Sequence, residues 1–203
     1  MSYAIIRMMT DLKQLFLIVS AVLPLISPII YSRAILKGRA KPHRTTRLTL
    51  LIIASIATVS LFAQHDTVAI WLAGVSALQA VVIFVLSIKY GMGGWAKTDI
   101  ICLVIALFGI FLWQTTKNPT LTLYSSIAAD FTGMIPAIIK TYRLPQTEIA
   151  SFFVIDSVAG IFNLLAVKTW TAHEISYPIY IFAINALMVM LVLKPRLKNR
   201  IVV

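Results

Sequence analysis

The chain has 203 residues, 60% of them hydrophobic and 12% charged, with a net charge of +11 and a mean hydropathy of +0.91. A soluble domain carries about 25% charged residues, so the polar surface is too small to cover a water-soluble globule, and the chain reads as an integral membrane protein. A lone cysteine, Cys102, excludes an intramolecular disulfide and a cysteine metal cluster, and the basic residues stand in short stretches between apolar runs rather than on one face, which excludes a nucleic-acid partner.

Seven apolar segments of spanning length follow in chain order: Leu12–Tyr31, Leu48–Phe62, Val68–Ile88, Asp99–Trp113, Leu121–Ile139, Ile149–Val167 and Ser176–Leu193. All read as helices, because a lone strand leaves its backbone unsatisfied in lipid. The N-terminal stretch has the look of a signal peptide without a small-x-small cleavage site, and is expected to stay as a helix. Arg7, Lys13, Lys117 and Lys168 fall on one side of the seven spans. The other fourteen basic residues fall on the opposite side: Arg33, Lys37, Arg39, Lys41, Arg44 and Arg47 between spans one and two, Lys89 and Lys97 between three and four, Lys140 and Arg143 between five and six, and Lys194, Arg196, Lys198 and Arg200 in the tail. The positive-inside rule places that second side in the cytoplasm and the N-terminus outside. A multi-pass cell-membrane protein is expected, and the short connections suit a bacterial inner membrane.

Spans one and five carry prolines near their cytoplasmic ends, Pro28 and Pro136, each followed by an Ile-Ile pair and basic residues. A second proline is then expected to open the next helix, Pro42 in the first half and Pro145 in the second. Gly74–Gln79 echoes Ala183–Met188, which sets Ser76 over Asn185. These matches divide the chain into a first three-helix repeat (1–90), a linker helix (91–118) and a second three-helix repeat (119–203). Three spans reverse the chain direction and one linker restores it, so the two repeats are expected to run parallel about an axis along the membrane normal. A proline inside a helix removes one backbone hydrogen bond and bends the helix there. Pro28, Pro42, Pro136 and Pro145 are therefore hinge candidates.

The stretch from Gly133 to Ser151, "GMIPAIIKTYRLPQTEIAS", together with the 3+1+3 plan, resembles the PQ-loop motif and the SWEET family of seven-helix transporters. Ile29 and Ala137 stand where that family has the glutamine after its proline. Similar plans occur in bacterial nicotinamide riboside transporters, lysosomal amino-acid exporters and the KDEL receptor. The resemblance implies alternating access between two three-helix bundles, with spans three and seven facing each other across the solute. On that plan Asn185, Ser76 and Gln79 are candidate solute contacts.

Two acids fall inside spans, Asp130 in the fifth and Asp156 in the sixth. A charged acid at mid-bilayer costs several kcal/mol unless it faces water, is protonated or is paired. Asp130 is a candidate solute acceptor or proton-coupling carboxyl. Asp156 is a second proton-coupling candidate, with a structural role favoured because the sixth helix is peripheral in the resembled plan. Asn163 and Gly160 read as contacts at a close helix crossing. Trp95, Trp170, Tyr142 and Tyr177 read as interfacial anchors, whereas Trp71, Trp113, Tyr124, Phe131 and Tyr180 lie deeper. His65-Asp66 and His173-Glu174 read as polar caps in outer loops, and no metal site or cofactor is expected. No span carries a histidine, and no Ser-His or Glu-x-x-His spacing occurs, so an enzyme is not expected. The sequence-based expectation is a membrane transporter of a small polar solute: a sugar, an amino acid, or a vitamin or nucleoside. The alternative is a non-transporting receptor or scaffold on the same fold, for which a basic residue buried in a span is the expected mark. Seven helices enclose a complete path, so a monomer suffices and a homo-oligomer is compatible.

Overall fold

The computed structural model describes residues 2–63, 69–94, 96–115, 119–167 and 170–201. The regular elements among them are helical: α1 (Ser2–Leu36), α2 (Arg44–Ala63), α3 (Ala69–Tyr90), α4 (Lys97–Thr115), α5 (Pro119–Arg143), α6 (Ala150–Ala166) and α7 (Ala172–Ile201), with a 3-10 turn at Pro145–Thr147. The fold is therefore all-α. Several helices outrun their apolar cores into basic last turns, at Arg33 in α1, Lys89 in α3 and Lys140 and Arg143 in α5. A cation there complements the negative end of the helix dipole. α1 stops at Gly38, whose φ of 69° few other residues adopt. Past it, the amides of Arg39 and Ala40 both turn back onto the carbonyl of Ala34.

Two stretches, Asp11–Leu36 and Glu174–Lys194, are long and apolar enough to cross a membrane, with mean hydropathies of 2.2 and 2.0. A span needs about 20 apolar residues. Only 22% of each apolar window is buried in the protein, which sets these helices apart from the core helices of a soluble domain. Their outward faces carry Leu15, Ile18, Val22 and Ile29 on α1, and Ile179, Phe182 and Met190 on α7. Exposed apolar residues of the same kind cover α3 and α4, including Leu78, Val85, Val104, Phe108 and Phe111. Contiguous apolar surface on this scale marks an interaction surface rather than a face turned to water.

The helices associate in a symmetric pattern. α3 packs against both α1 and α2, and α7 against both α5 and α6. Between these two groups, α1 meets α6 and α2 meets α5. Exchanging α1 with α5, α2 with α6 and α3 with α7 reproduces all of these pairings. α4 lies outside the exchange, against α5 and α2. Polar contacts give the helix directions. Along α1 and α6, Lys13 donates to the Val167 carbonyl at 2.9 Å, Asn163 to Ser20 at 3.2 Å and Tyr31 to Glu148 at 2.7 Å. One number rises as the other falls, so α1 and α6 are antiparallel. Along α5 and α7, Tyr124 meets Ser176, Asp130 meets Tyr180 and Tyr142 meets Lys194. Both numbers rise together, so α5 and α7 are parallel.

The buried apolar cluster is centred at the end of the molecule where α1 finishes. Tyr31, Ala34 and Ile35 pack there with Met134, Phe152, Phe153, Met188 and Val192. A buried polar network closes the same end. Glu148 accepts from the Tyr31 hydroxyl and from the Lys140 ammonium, and Lys140 also donates to the Lys41 carbonyl at 2.7 Å. The Lys41 amide in turn donates to the Thr147 carbonyl at 2.7 Å. The connections after α1 and α5 are thus bonded to each other. The connection after α3 is pinned to the same end, because Met92 donates to the Pro42 carbonyl at 3.0 Å and His43 lies 3.7 Å from Asp99.

Two expectations change here. Lys140 is not a solvated loop cation; it is 7% exposed and held by Glu148. Pro42 and Pro145 do not open the following α-helices. Pro42 sits in the connection before α2, and Pro145 starts the 3-10 turn, five residues before α6. Neither is placed to bend an α-helix, which leaves Pro28 and Pro136, inside α1 and α5, as the helical members of that set.

Candidate functional site

A cavity of about 520 Å³ lies among α1, α2, α3, α5, α6 and α7, within the 300–1,000 Å³ usual for small-ligand sites. Its wall is built by helical periodicity. α1 contributes Ser20, Pro24, Ser27 and Pro28, spaced to share one face, and α6 contributes Phe152, Asp156, Ala159, Gly160 and Asn163 on another. α2 adds Arg47 and Leu50, α3 adds Gln79 and Ile83, α5 adds Asp130, and α7 adds Tyr177, Pro178, Ile181 and Asn185. Both three-helix groups therefore face the same space. Gly160 permits the close seam between α6 and α7, since a Cβ there would sit 2.9 Å from the Phe182 amide nitrogen.

Most of the polar side chains have defined partners. Asp130 accepts from the Tyr180 hydroxyl. Asn185 donates to the Ile181 carbonyl of its own helix at 2.9 Å, which leaves its amide oxygen for another donor. Asn163 donates to Ser20, which donates to the Leu17 carbonyl at 2.8 Å. Asp156 Oδ1 is buried without a partner. The guanidinium of Arg47 stands 4.8 Å from the centre of the Tyr31 ring and 5.6 Å from that of Phe152. Its Nε is likewise buried without a partner.

Gln79 is bonded to the proline bend. Pro28 has no N–H to give to the carbonyl four residues back, which is that of Pro24. Gln79 Nε2 donates to that carbonyl at 2.9 Å. A carboxamide on α3 thus satisfies the acceptor that the proline orphans on α1, leaving one N–H and the amide oxygen of Gln79 free for other contacts.

Gln79, Asp130, Asn185, Asp156 and Pro28, picked from sequence, all reach this one cavity. The side chains of Ser76, Trp71, Trp113 and His173 lie outside the described residues, as do His65, Asp66 and Trp95. Pro136 is buried in α5 but is not part of the wall. Three expectations are corrected. Asp156 is not on a peripheral helix, because α6 packs along α1 and presents a full face to the cavity. Tyr177 lines the cavity as well as standing near a helix end. Arg47, read as a loop cation, is the wall's basic residue. Its signal lay in its spacing from Leu50 and Ala54 along α2, which charge counting overrode. No family model, curated protein or solved structure matches the chain.

Proposed function

We propose that the chain is a seven-span membrane transporter of a small polar solute, working by alternating access between α1–α3 and α5–α7 with α4 as linker. This is the plan of the SWEET and PQ-loop transporters that the sequence resembles. The observation that carries the reading is a cavity walled by both three-helix groups, apolar over most of its surface but holding Arg47, Gln79, Asp130, Asp156 and Asn185, above one end that is closed by packing. The exchange symmetry of the helix contacts supports it, because two equivalent bundles meeting at α1–α6 and α2–α5 can rock about a shared site. In this reading the locked, basic end is cytoplasmic, and the helix proline hinges are Pro28 and Pro136. Asn185, Gln79 and Asp130 contact the solute, and Asp130 and Asp156 carry protons if transport is coupled. Opening the locked end would part Tyr31 from Glu148, Lys140 from the Lys41 carbonyl and Lys41 from Thr147, bonds that join the two halves there.

Uptake of labelled sugars, amino acids, nucleosides and vitamins into proteoliposomes tests the proposal, at pH 5.5 and 7.5. The expected result is one class moving faster than into protein-free vesicles, with flux reduced in Asp130→Asn and Asn185→Ala. Equal leak for every solute would overturn it. A second reading, a non-transporting receptor on the same fold, is favoured by one observation: a basic residue, Arg47, does line the cavity. A receptor needs entry from one side only, and a transporter needs it from both.

A further inference from the structure

The charges on the cavity wall narrow the solute class. Arg47 comes from the first helix group and Asp156 from the second, and both line the same space. Arg47 reaches over Phe152, one turn before Asp156 on α6; it feels the carboxylate of Glu148, already held by Tyr31 and Lys140, more strongly than that of Asp156. Yet the ion pairs among the described residues are His43 with Asp99 and Lys140 with Glu148; Arg47 and Asp156 do not form one. Each also keeps a buried polar atom without a partner, Nε on Arg47 and Oδ1 on Asp156. An unmet polar atom in a buried site is costly, so the wall holds unused hydrogen-bonding capacity of both signs within one site.

That arrangement discriminates among the small polar solutes. A neutral sugar gives neither charge a counter-charge and still strips water from both. A simple anion finds Arg47 but also two aspartates. A simple cation finds the aspartates but also Arg47. A molecule with one group of each sign matches both. The rest of the nearby wall is apolar, with Leu50, Ile83, Phe152 and Ile181, which suits an uncharged side chain.

Resting on the transport reading, we infer that the cavity takes a small zwitterion with an uncharged side chain, its carboxylate on Arg47 and its ammonium on Asp156. Such a solute bridges α2 of one bundle and α6 of the other, so its binding draws the two halves together.

Thermal unfolding of the detergent-purified full chain tests this with matched probes: L-alanine and L-leucine as zwitterions, propionate as carboxylate alone, propylamine as ammonium alone, and glucose as a neutral polyol. A ligand that binds the folded state raises the melting temperature with concentration. The expected result is stabilisation by at least one zwitterion and by none of the others, weakened about tenfold or more, the equivalent of one lost charge-assisted contact, in Arg47→Gln and in Asp156→Asn. Arg47→Lys keeps the charge without the planar fork, and is expected to bind more weakly than wild type but better than Arg47→Gln. Its own unliganded melting temperature guards against a merely misfolded variant. Stabilisation by glucose alone, or by zwitterions equally in all variants, would overturn the inference and leave transport standing. No stabilisation by any probe would overturn the zwitterion assignment, and two-sided access to the cavity then decides separately whether transport stands.

Discussion

Glu148 is 4% exposed and Lys140 is 7% exposed, and they bond to each other at the closed end of the molecule. Glu148→Leu removes the carboxylate and leaves the ammonium buried with only the Lys41 carbonyl as acceptor. Breaking one side of a buried ion pair costs roughly 3–5 kcal/mol, far more than the net worth of the pair. Tyr31 loses its acceptor in the same change, adding about 1 kcal/mol. For a chain of this length about 4–6 kcal/mol corresponds to a fall in melting temperature of roughly 8–24 °C. Lys140→Met together with Glu148→Leu removes both charges, and replacing a buried pair by apolar groups is close to neutral. The double variant is therefore expected to be more stable than Glu148→Leu alone, which additive effects cannot produce. Fluorescence-detected unfolding of the four proteins in one detergent completes the cycle. Additivity within about 0.5 kcal/mol would refute the argument, because the two side chains would then be independent.

Three further outcomes follow from the same geometry. Gln79→Leu leaves the Pro24 carbonyl without its donor and is expected to cost about 1–3 kcal/mol; adding Pro28→Ala restores the backbone N–H for that carbonyl, so the double variant should recover most of the loss in the same unfolding assay. Gly160→Ala puts a Cβ 2.9 Å from the Phe182 nitrogen and 3.2 Å from its Cα, backbone atoms that cannot swing aside, and should cost about 1–3 kcal/mol by overpacking. Burial pushes the His43 imidazole below its ordinary value of 6.5, with Asp99 pulling it up and Lys140, Arg44 and Arg47 pushing it further down. The unfolded chain then binds this proton at higher pH than the folded protein does, so the stability contributed is full above about pH 6.5 and lost as pH falls below it. Unfolding of wild type and His43→Gln between pH 8 and pH 5 should show the smaller acid-side loss in the variant; parallel curves would refute it.

The helices were legible because apolar runs this long have few alternatives, and the short connections between them fixed the element order. The polar residues that stood out singly in those runs, Asp130, Asp156, Gln79 and Asn185, reach a common cavity for the same reason: water or a polar partner must face them. What escaped were features created by distant partners. Arg47 sits three residues into α2, where a basic residue looks like a topology signal, and the rings that cover it come from Tyr31 and Phe152, far away in sequence. The bond from Gln79 to Pro24 depends on how α3 packs on α1, which no local pattern states. Ser20 and Ser27 share a face with Pro24, but serine is small enough to pass unnoticed in an apolar helix. The resembled plan makes α6 peripheral, whereas its own spacing from Phe152 through Asp156 to Asn163 describes a polar-edged face.

The central claim, passage of a solute through the cavity, is tested most directly by asking whether the cavity can be reached from both sides. Ala80 lines the wall with a small side chain. A cysteine there, in a Cys102→Ser background, is exposed to a membrane-impermeant thiol reagent from either side of oriented vesicles. Alternating access predicts labelling from both sides, including the side where Tyr31, Lys140 and Glu148 close the structure, and slower labelling from that side when the cavity is occupied. Labelling from only one side under all conditions would contradict the account and leave a receptor as the better description.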